Sequence, residues 1–220
     1  MNWLAGFFGD AAHWSGPDGI PARLLEHLEF SAAAFLIAAL IAVPLGMLIG
    51  HTGRGALLVV IAANAARALP TLGLLVLVVL LAGVGTVLPV LIPLVVLAIP
   101  PILVNTYEGV RGVDADLRDA AYGMGLRGRQ VLLQTLTPVA LPLILLGLRL
   151  AAVQVVSTAT VAAFVGLGGL GRFIIDGLAT KTYADVIGGA VLVAALALAV
   201  QFAFLLLDRV AVSPGVRQIR

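Results

Sequence analysis

The groups with chemistry to offer are gathered in one polar stretch, Val113 to Pro142, which reads VDADLRDAAYGMGLRGRQVLLQTLTPVALP. It carries Asp114, Asp116, Arg118, Asp119, Arg127 and Arg129. Acid–base catalysis needs two carboxyl groups whose environments push their proton affinities apart. Asp114, Asp116 and Asp119 instead share one short helix with Arg118, which suits a solvated docking face. No catalytic residue is assigned. The chain has no cysteine, and His13, His27 and His51 are too scattered for a metal cluster, so no metal ligands are assigned either. Gly123, Gly125, Gly128 and again Gly166, Gly168, Gly171 fit G-x-G-x-x-G, but a dinucleotide site needs that motif after a strand, and no strand precedes either copy. The phosphate-binding pattern G-x-x-x-x-G-K-[ST] is missing and Lys181 is the sole lysine, so no nucleotide cofactor is expected and the energy source must be a partner.

The elements that hold this stretch must be membrane helices. Hydrophobic residues make up 61% of the 220 and charged ones 11%. Crossing hydrocarbon takes about 20 apolar residues. Ser31–Gly50, Ala68–Tyr107, Leu150–Gly171 and Val186–Leu207 each lack Asp, Glu, Lys, Arg and His. Lipid offers no hydrogen bonds, so backbone groups in such runs must pair internally as helices. The fold class expected is an all-α integral membrane protein with a single helical domain. The net charge of +2 comes mainly from arginines at span ends, which act as topology determinants and not as nucleic-acid contacts. Nothing in Asn2–Ser15 has the form of a cleavable signal peptide.

Five crossings are expected, at roughly 28–50, 56–83, 86–107, 138–163 and 185–207. Arg67-Ala68-Leu69-Pro70 interrupts the second, because Pro70 lacks a donor and disfavours helix at the residue before it. Arginines concentrate at Arg54, at Arg111 to Arg129 and at Arg209 to Arg220, so these regions are placed in the cytoplasm and the N-terminus outside. An even number of crossings must then separate Arg54 from Arg111, and the interrupted stretch is read as one kinked or partly re-entrant element. Residues 1–25, with Trp3, Phe7, Phe8 and Trp14, form an extracytoplasmic interfacial segment in this reading. Residues 26–208 form the transmembrane domain and 209–220 a cytoplasmic tail. No internal repeat of the kind common in secondary transporters is evident.

Within the polar stretch, Asp114 to Met124 is expected to be helical, with Asp at the positive end and Leu117, Ala120, Ala121 and Met124 at helical spacing. Gly123 and Gly125 allow a sharp turn, Arg127 to Thr137 forms a second helical piece, and Pro138 stops or bends it. The polar residues inside the spans are Asn64, Asn105, Thr106, Gln154, Ser157, Thr158 and Thr160, which serve helix packing or line a translocation path. Asn64, Pro70, Asn105, Thr106, Ser157 and Thr158 are the candidates for the path. Arg149 is an intramembrane charge or snorkels to the surface. Tyr107 is a belt residue or an aromatic contact for a quaternary ammonium.

Asp119-Ala120-Ala121-Tyr122-Gly123-Met124-Gly125, followed by Val139-Ala140-Leu141-Pro142, resembles the EAA loop of binding-protein-dependent ABC importer permeases, with Asp119 in place of the usual Glu. Leu69-Pro70-Thr71-Leu72-Gly73-Leu74, the run Pro100 to Gly109, and Phe164-Val165-Gly166-Leu167-Gly168-Gly169-Leu170-Gly171 look like segments of the osmoprotectant permeases. Arg67 is more like the related methionine importers. The resemblance covers roughly residues 25 to 210. It implies a type I importer permease of the methionine-importer kind, with Asp119, Ala120, Ala121, Gly125, Leu141 and Pro142 in the loop that couples to an ATPase subunit. The implied partners are that ATPase, an extracytoplasmic substrate-binding protein, a second permease subunit and the lipid of the inner (plasma) membrane. The implied cargo is glycine betaine, carnitine or choline. The alternatives are methionine or another amino acid as cargo and, from a different class, an ATP-independent secondary transporter.

Overall fold

The computed structural model describes residues 3–68, 70–83, 86–213 and 215, with backbone alone for 65–68. Leu69 of the interrupted crossing, the Arg67 side chain and most of the tail beyond Ser213 lie outside the described residues. All regular structure among the described residues is helical. In chain order it comprises α1 (Trp3–Gly9), a 3-10 turn (Ala11–Trp14), α2 (Ile20–Thr52), α3 (Ala56–Ala68), α4 (Thr71–Ala82), α5 (Leu88–Arg111) and α6 (Ala115–Gly123). There follow α7 (Gly128–Gln130), a π turn (Val131–Leu136), α8 (Thr137–Thr158), a 3-10 turn (Ala159–Val165), α9 (Gly171–Thr180) and α10 (Tyr183–Ala211).

Four helical runs among these are long and apolar enough to cross a bilayer: Ile20–Thr52, Leu88–Arg111, Gly128–Val165 and Tyr183–Ala211. The expected second crossing is two short helices, α3 of 13 residues and α4 of 12, with the break at Pro70. At about 1.5 Å per residue each is under 20 Å long, short of the ~30 Å hydrocarbon core. Pro70 causes the break by lacking a donor, but its carbonyl still accepts from Leu74 N at 2.9 Å and so opens α4. On α10, Leu198, Phe202 and Leu206 are each more than half exposed, as a helix facing lipid requires.

Of the stop or bend expected at Pro138, the stop does not occur: the helix runs on through Pro138 and Pro142. A π turn absorbs the missing donor. Thr137 directs its backbone N–H at the carbonyl of Leu132, one residue further back than in an α-helix, and its hydroxyl donates to the same carbonyl at 2.7 Å. Widening of this kind relieves the clash of a proline ring with the preceding turn.

The chain forms two compact units. One comprises Met1–Leu36, Leu69–Leu97 and Ala152–Val200; the other comprises Ile37–Ala68, Ala98–Ala151 and Gln201–Arg220. The core of the first gathers Phe7, Ile20, Leu170, Phe173 and Val193. Phe7 stands edge-on to Phe173 at 5.3 Å and is fully buried. The expected interfacial segment therefore packs its central aromatic into protein, and α2 begins at Ile20, ahead of the expected boundary at residue 26. In the second unit small residues let helices approach closely. A Cβ on Gly46 would lie 2.8 Å from Thr106 Cβ, and one on Gly147 2.8 Å from Asn105 Cβ and the Pro101 carbonyl, the small-residue packing that joins membrane helices.

Candidate functional site

The polar segment expected to couple to an ATPase lies in the second unit and is shaped by its own neighbours. Asp114 caps α6 by accepting from Asp116 N at 2.9 Å, so this carboxylate is used for structure. Arg118 turns back and donates from Nη2 to the carbonyl of Val110 at 3.3 Å, satisfying a carbonyl in the last turn of α5. The far end closes by a Schellman motif: Leu126 N donates to Ala121 O at 3.3 Å and Gly125 N to Tyr122 O at 2.9 Å. That closure requires Gly125 at φ +82°, where a Cβ is penalised. Gln130 Oε1 then accepts from Arg127 N at 2.8 Å and starts α7.

These constraints decide which side chains face out. Ala121 is buried, in a core with Val110, Val113, Val131, Leu136, Ala140 and Ile144. Asp119, Ala120 and Gly125 are exposed. The expected stripe of Leu117, Ala120, Ala121 and Met124 is not one buried face, because Leu117 is 41% exposed and Met124 76%. Tyr122, not singled out from the sequence, is 44% exposed beside them. Spacing alone could not find this surface, because four apolar positions on one stripe of a helix look the same whether the face packs inward or outward. Leu141 and Pro142 lie on α8 and are half-buried, and Pro142 lines a small cavity with Leu145, Leu146, Arg149, Phe204 and Asp208. Arg149 thus faces a pocket that contains a carboxylate residue.

The candidate path residues fall into two groups. Asn105 donates to its own helix at Pro101 O, 2.7 Å, and Thr106 is fully buried against Gly46, so both sit in the packing of α5. Asn64, Pro70 and Ser157 are exposed, with Thr158 half-buried. Tyr107 is buried and its hydroxyl accepts from Arg111 Nη1 at 2.6 Å, which occupies the ring's polar end within the protein.

A second ordered element lies in the other unit. α8 ends at Thr158, a 3-10 turn carries Phe164 at 59% exposure, and the glycine-rich loop leads into α9. Phe164, Val165 and Gly166 line a groove of about 520 Å³ with Leu72, Leu75, Val76, Val79 and Leu80 of α4.

Long apolar helices with a capped, glycine-closed helix exposed between two of them define a polytopic membrane protein. The chain belongs to the binding-protein-dependent transport system inner membrane components, whose pattern it matches over residues 42–218. It is the permease subunit of an ABC importer. A carnitine transport permease, OpuCB of Listeria monocytogenes, is 34% identical over 220 residues, covering 100% of this chain and 98% of that protein. The choline transport system permease OpuBB of Bacillus subtilis is 33% identical, covering 90% and 91%. The glycine betaine/carnitine/choline permease OpuCB of Bacillus subtilis is 34% identical, covering 89% of each. Among solved structures, the inward-facing MetNI methionine ABC transporter matches with a TM-score of 0.76 at 23% identity, over 88% of this chain and 96% of that one, which shows a shared fold.

Proposed function

We propose that this permease serves an importer of quaternary ammonium osmoprotectants: glycine betaine, carnitine or choline. The observation that carries this reading is similarity over 89–100% of the chain to permeases named for those solutes, at 33–34% identity. The chain itself hydrolyses nothing; a separate ATPase subunit supplies the energy and an extracytoplasmic binding protein selects the cargo, holding its ammonium group in an aromatic cage. Two permease subunits pair to enclose the path. Asn64, Pro70, Ser157 and Thr158 are the candidates to line it, and Asn105 and Thr106 support it from within the helix packing. The ATPase docks on Asp119, Ala120, Tyr122, Met124 and Gly125, with Ala121, Leu141 and Pro142 backing that surface.

In this reading the N-terminus is outside, residues 26–208 form the membrane domain and 209–220 the cytoplasmic tail. Because the chain has no cysteine, single cysteines report topology directly. An impermeant thiol reagent on intact cells should label position 10 and leave position 218 unlabelled; the reverse would invert the assignment. The cargo is tested by titrating the cognate binding protein with betaines, choline and methionine, paired with uptake by the reconstituted importer. Tight methionine binding with no response to any betaine or choline would replace the cargo and leave the permease in place.

A further inference from the structure

Two consecutive residues of α2, Glu26 and His27, reach the chain on either side of the Phe164 turn. His27 is fully buried and its Nε2 donates to the carbonyl of Val156 at 2.8 Å, just where α8 gives way to the 3-10 turn. Glu26 Oε2 accepts from Gly169 N at 2.8 Å, on the far side of the turn. That donor lies immediately ahead of α9, where backbone N–H groups have no partner inside the helix and a carboxylate is favoured by the helix dipole. Arg23 holds Glu26 in place from one turn earlier, donating from Nη1 to the same Oε2 at 2.9 Å, and its other arm pairs with Asp18. The loop is cut to fit the carboxylate. A Cβ on Gly168 would coincide with the Glu26 carboxylate, and one on Gly169 would lie 3.3 Å from His27 Nδ1.

We propose that Glu26 and His27 are positioning residues for transport: a two-point clamp that ties residues 157–168 to α2. The Phe164 wall of the α4 groove then moves only as α2 moves. Between the anchors Ala159, Ala162 and Ala163 are buried, but as alanines they bring little side chain to fix the span, while Ser157 and Phe164 are exposed and Thr158 is half-buried. Without the clamp the wall is free to open without reference to α2, and ATP hydrolysis is no longer tied to passage of cargo.

The test uses the complete importer, permease with ATPase, in lipid nanodiscs. Hydrogen exchange across residues 159–170 should quicken about tenfold in Glu26→Ala, and by a similar factor in His27→Ala around 156–163, the loss expected for one or two hydrogen bonds. Exchange across the coupling segment 115–130 should not change. The ratio of uptake to substrate-independent ATP hydrolysis should fall about tenfold as well. Glu26→Gln keeps an acceptor oxygen for Gly169 N and should restore both readings to within about twofold of the parent. If Glu26→Ala does not assemble, Glu26→Asp, one methylene short of Gly169, should show the same loss in smaller degree. Unchanged exchange at 159–170, or exchange raised equally along the whole chain, would overturn the clamp. The proposal rests on the permease reading only through uptake, so a wrong cargo would void the uptake arm and leave the exchange arm decisive.

Discussion

The polar segment Asp114–Gln130 and the glycine-rich segment Ala159–Gly171 both join helices and both turn at a glycine of positive φ, yet only the second is also held by side chains from far along the chain. The first is closed by bonds between near neighbours: Asp114 to Asp116, Gly125 to Tyr122, Leu126 to Ala121, Arg127 to Gln130. The second carries a local closure of the same kind, Gly166 N to Ala163 O and Leu167 N to Ala162 O. It is also tied from far along the chain, by Glu26 at Gly169 and by His27 at Val156 just ahead of it, 143 and 129 residues away. An element whose ends are closed locally, with Ala121 seated in the core beneath it, can bear on another protein without losing its shape. An element held at a distance reports the position of whatever holds it.

The sharpest break in the comparison is Gly125→Val. Nothing lies within 4 Å of the added Cβ, so no clash arises inside the chain, and the cost falls on the backbone. A β-branched residue at φ +82° costs roughly 1–3 kcal/mol, and the Schellman closure opens. Uptake by the reconstituted importer should fall ten- to a hundredfold while membrane insertion persists, the size of that strain expressed as an equilibrium. Normal uptake would show that the closure of α6 plays no part in docking.

Gly168→Ala strikes the other segment. Its Cβ would take the place of the Glu26 carboxylate, so the bond to Gly169 must break or the loop must shift. Overpacking of this kind costs about 1–3 kcal/mol. Each kcal/mol should lower the unfolding midpoint of the purified protein by ~2–4 °C. Gly123→Ala is the matched control in α6, where an added Cβ meets open space, and it should leave the midpoint unchanged or slightly raised. Equal shifts in the two variants would erase the distinction between the segments.

Much of the coupling segment was legible in the sequence for the reason it is self-closed. Asp114 at the head of a helix and Gly125 after it are signals whose partners stand within a few residues. The membrane runs were legible too, because hydrocarbon leaves a backbone few choices. What escaped is what depends on distance or direction. No local signal pairs Glu26 with Gly169, or buries Phe7 against Phe173. Helical spacing cannot say that Leu117 and Met124 face outward while Ala121 faces in. Pro138 carried a true signal, a missing donor, but the remedy, a local π turn between Leu132 and Thr137, is one that a proline alone does not announce.

The smallest effect is expected at Asp114, where cap and charge can be separated. Asp114→Ala removes the oxygen that accepts from Asp116 N, and loss of such a cap costs about 0.5–2 kcal/mol. Asp114→Asn keeps an oxygen in that place and removes only the charge, whose interaction with the helix dipole is worth about 0.3–1 kcal/mol at an exposed site. Exchange of the first amides of α6 should therefore quicken several-fold in the alanine variant and by less in the asparagine variant, and uptake should follow in the same order. Because the closure at Gly125 is separate from the cap, amides near Leu126 should keep their protection in both. Loss of protection at both ends of α6 from Asp114→Ala alone would mean that the helix folds as one unit with its docking surface. The independence of the cap at Asp114 from the closure at Gly125 would then have to be given up.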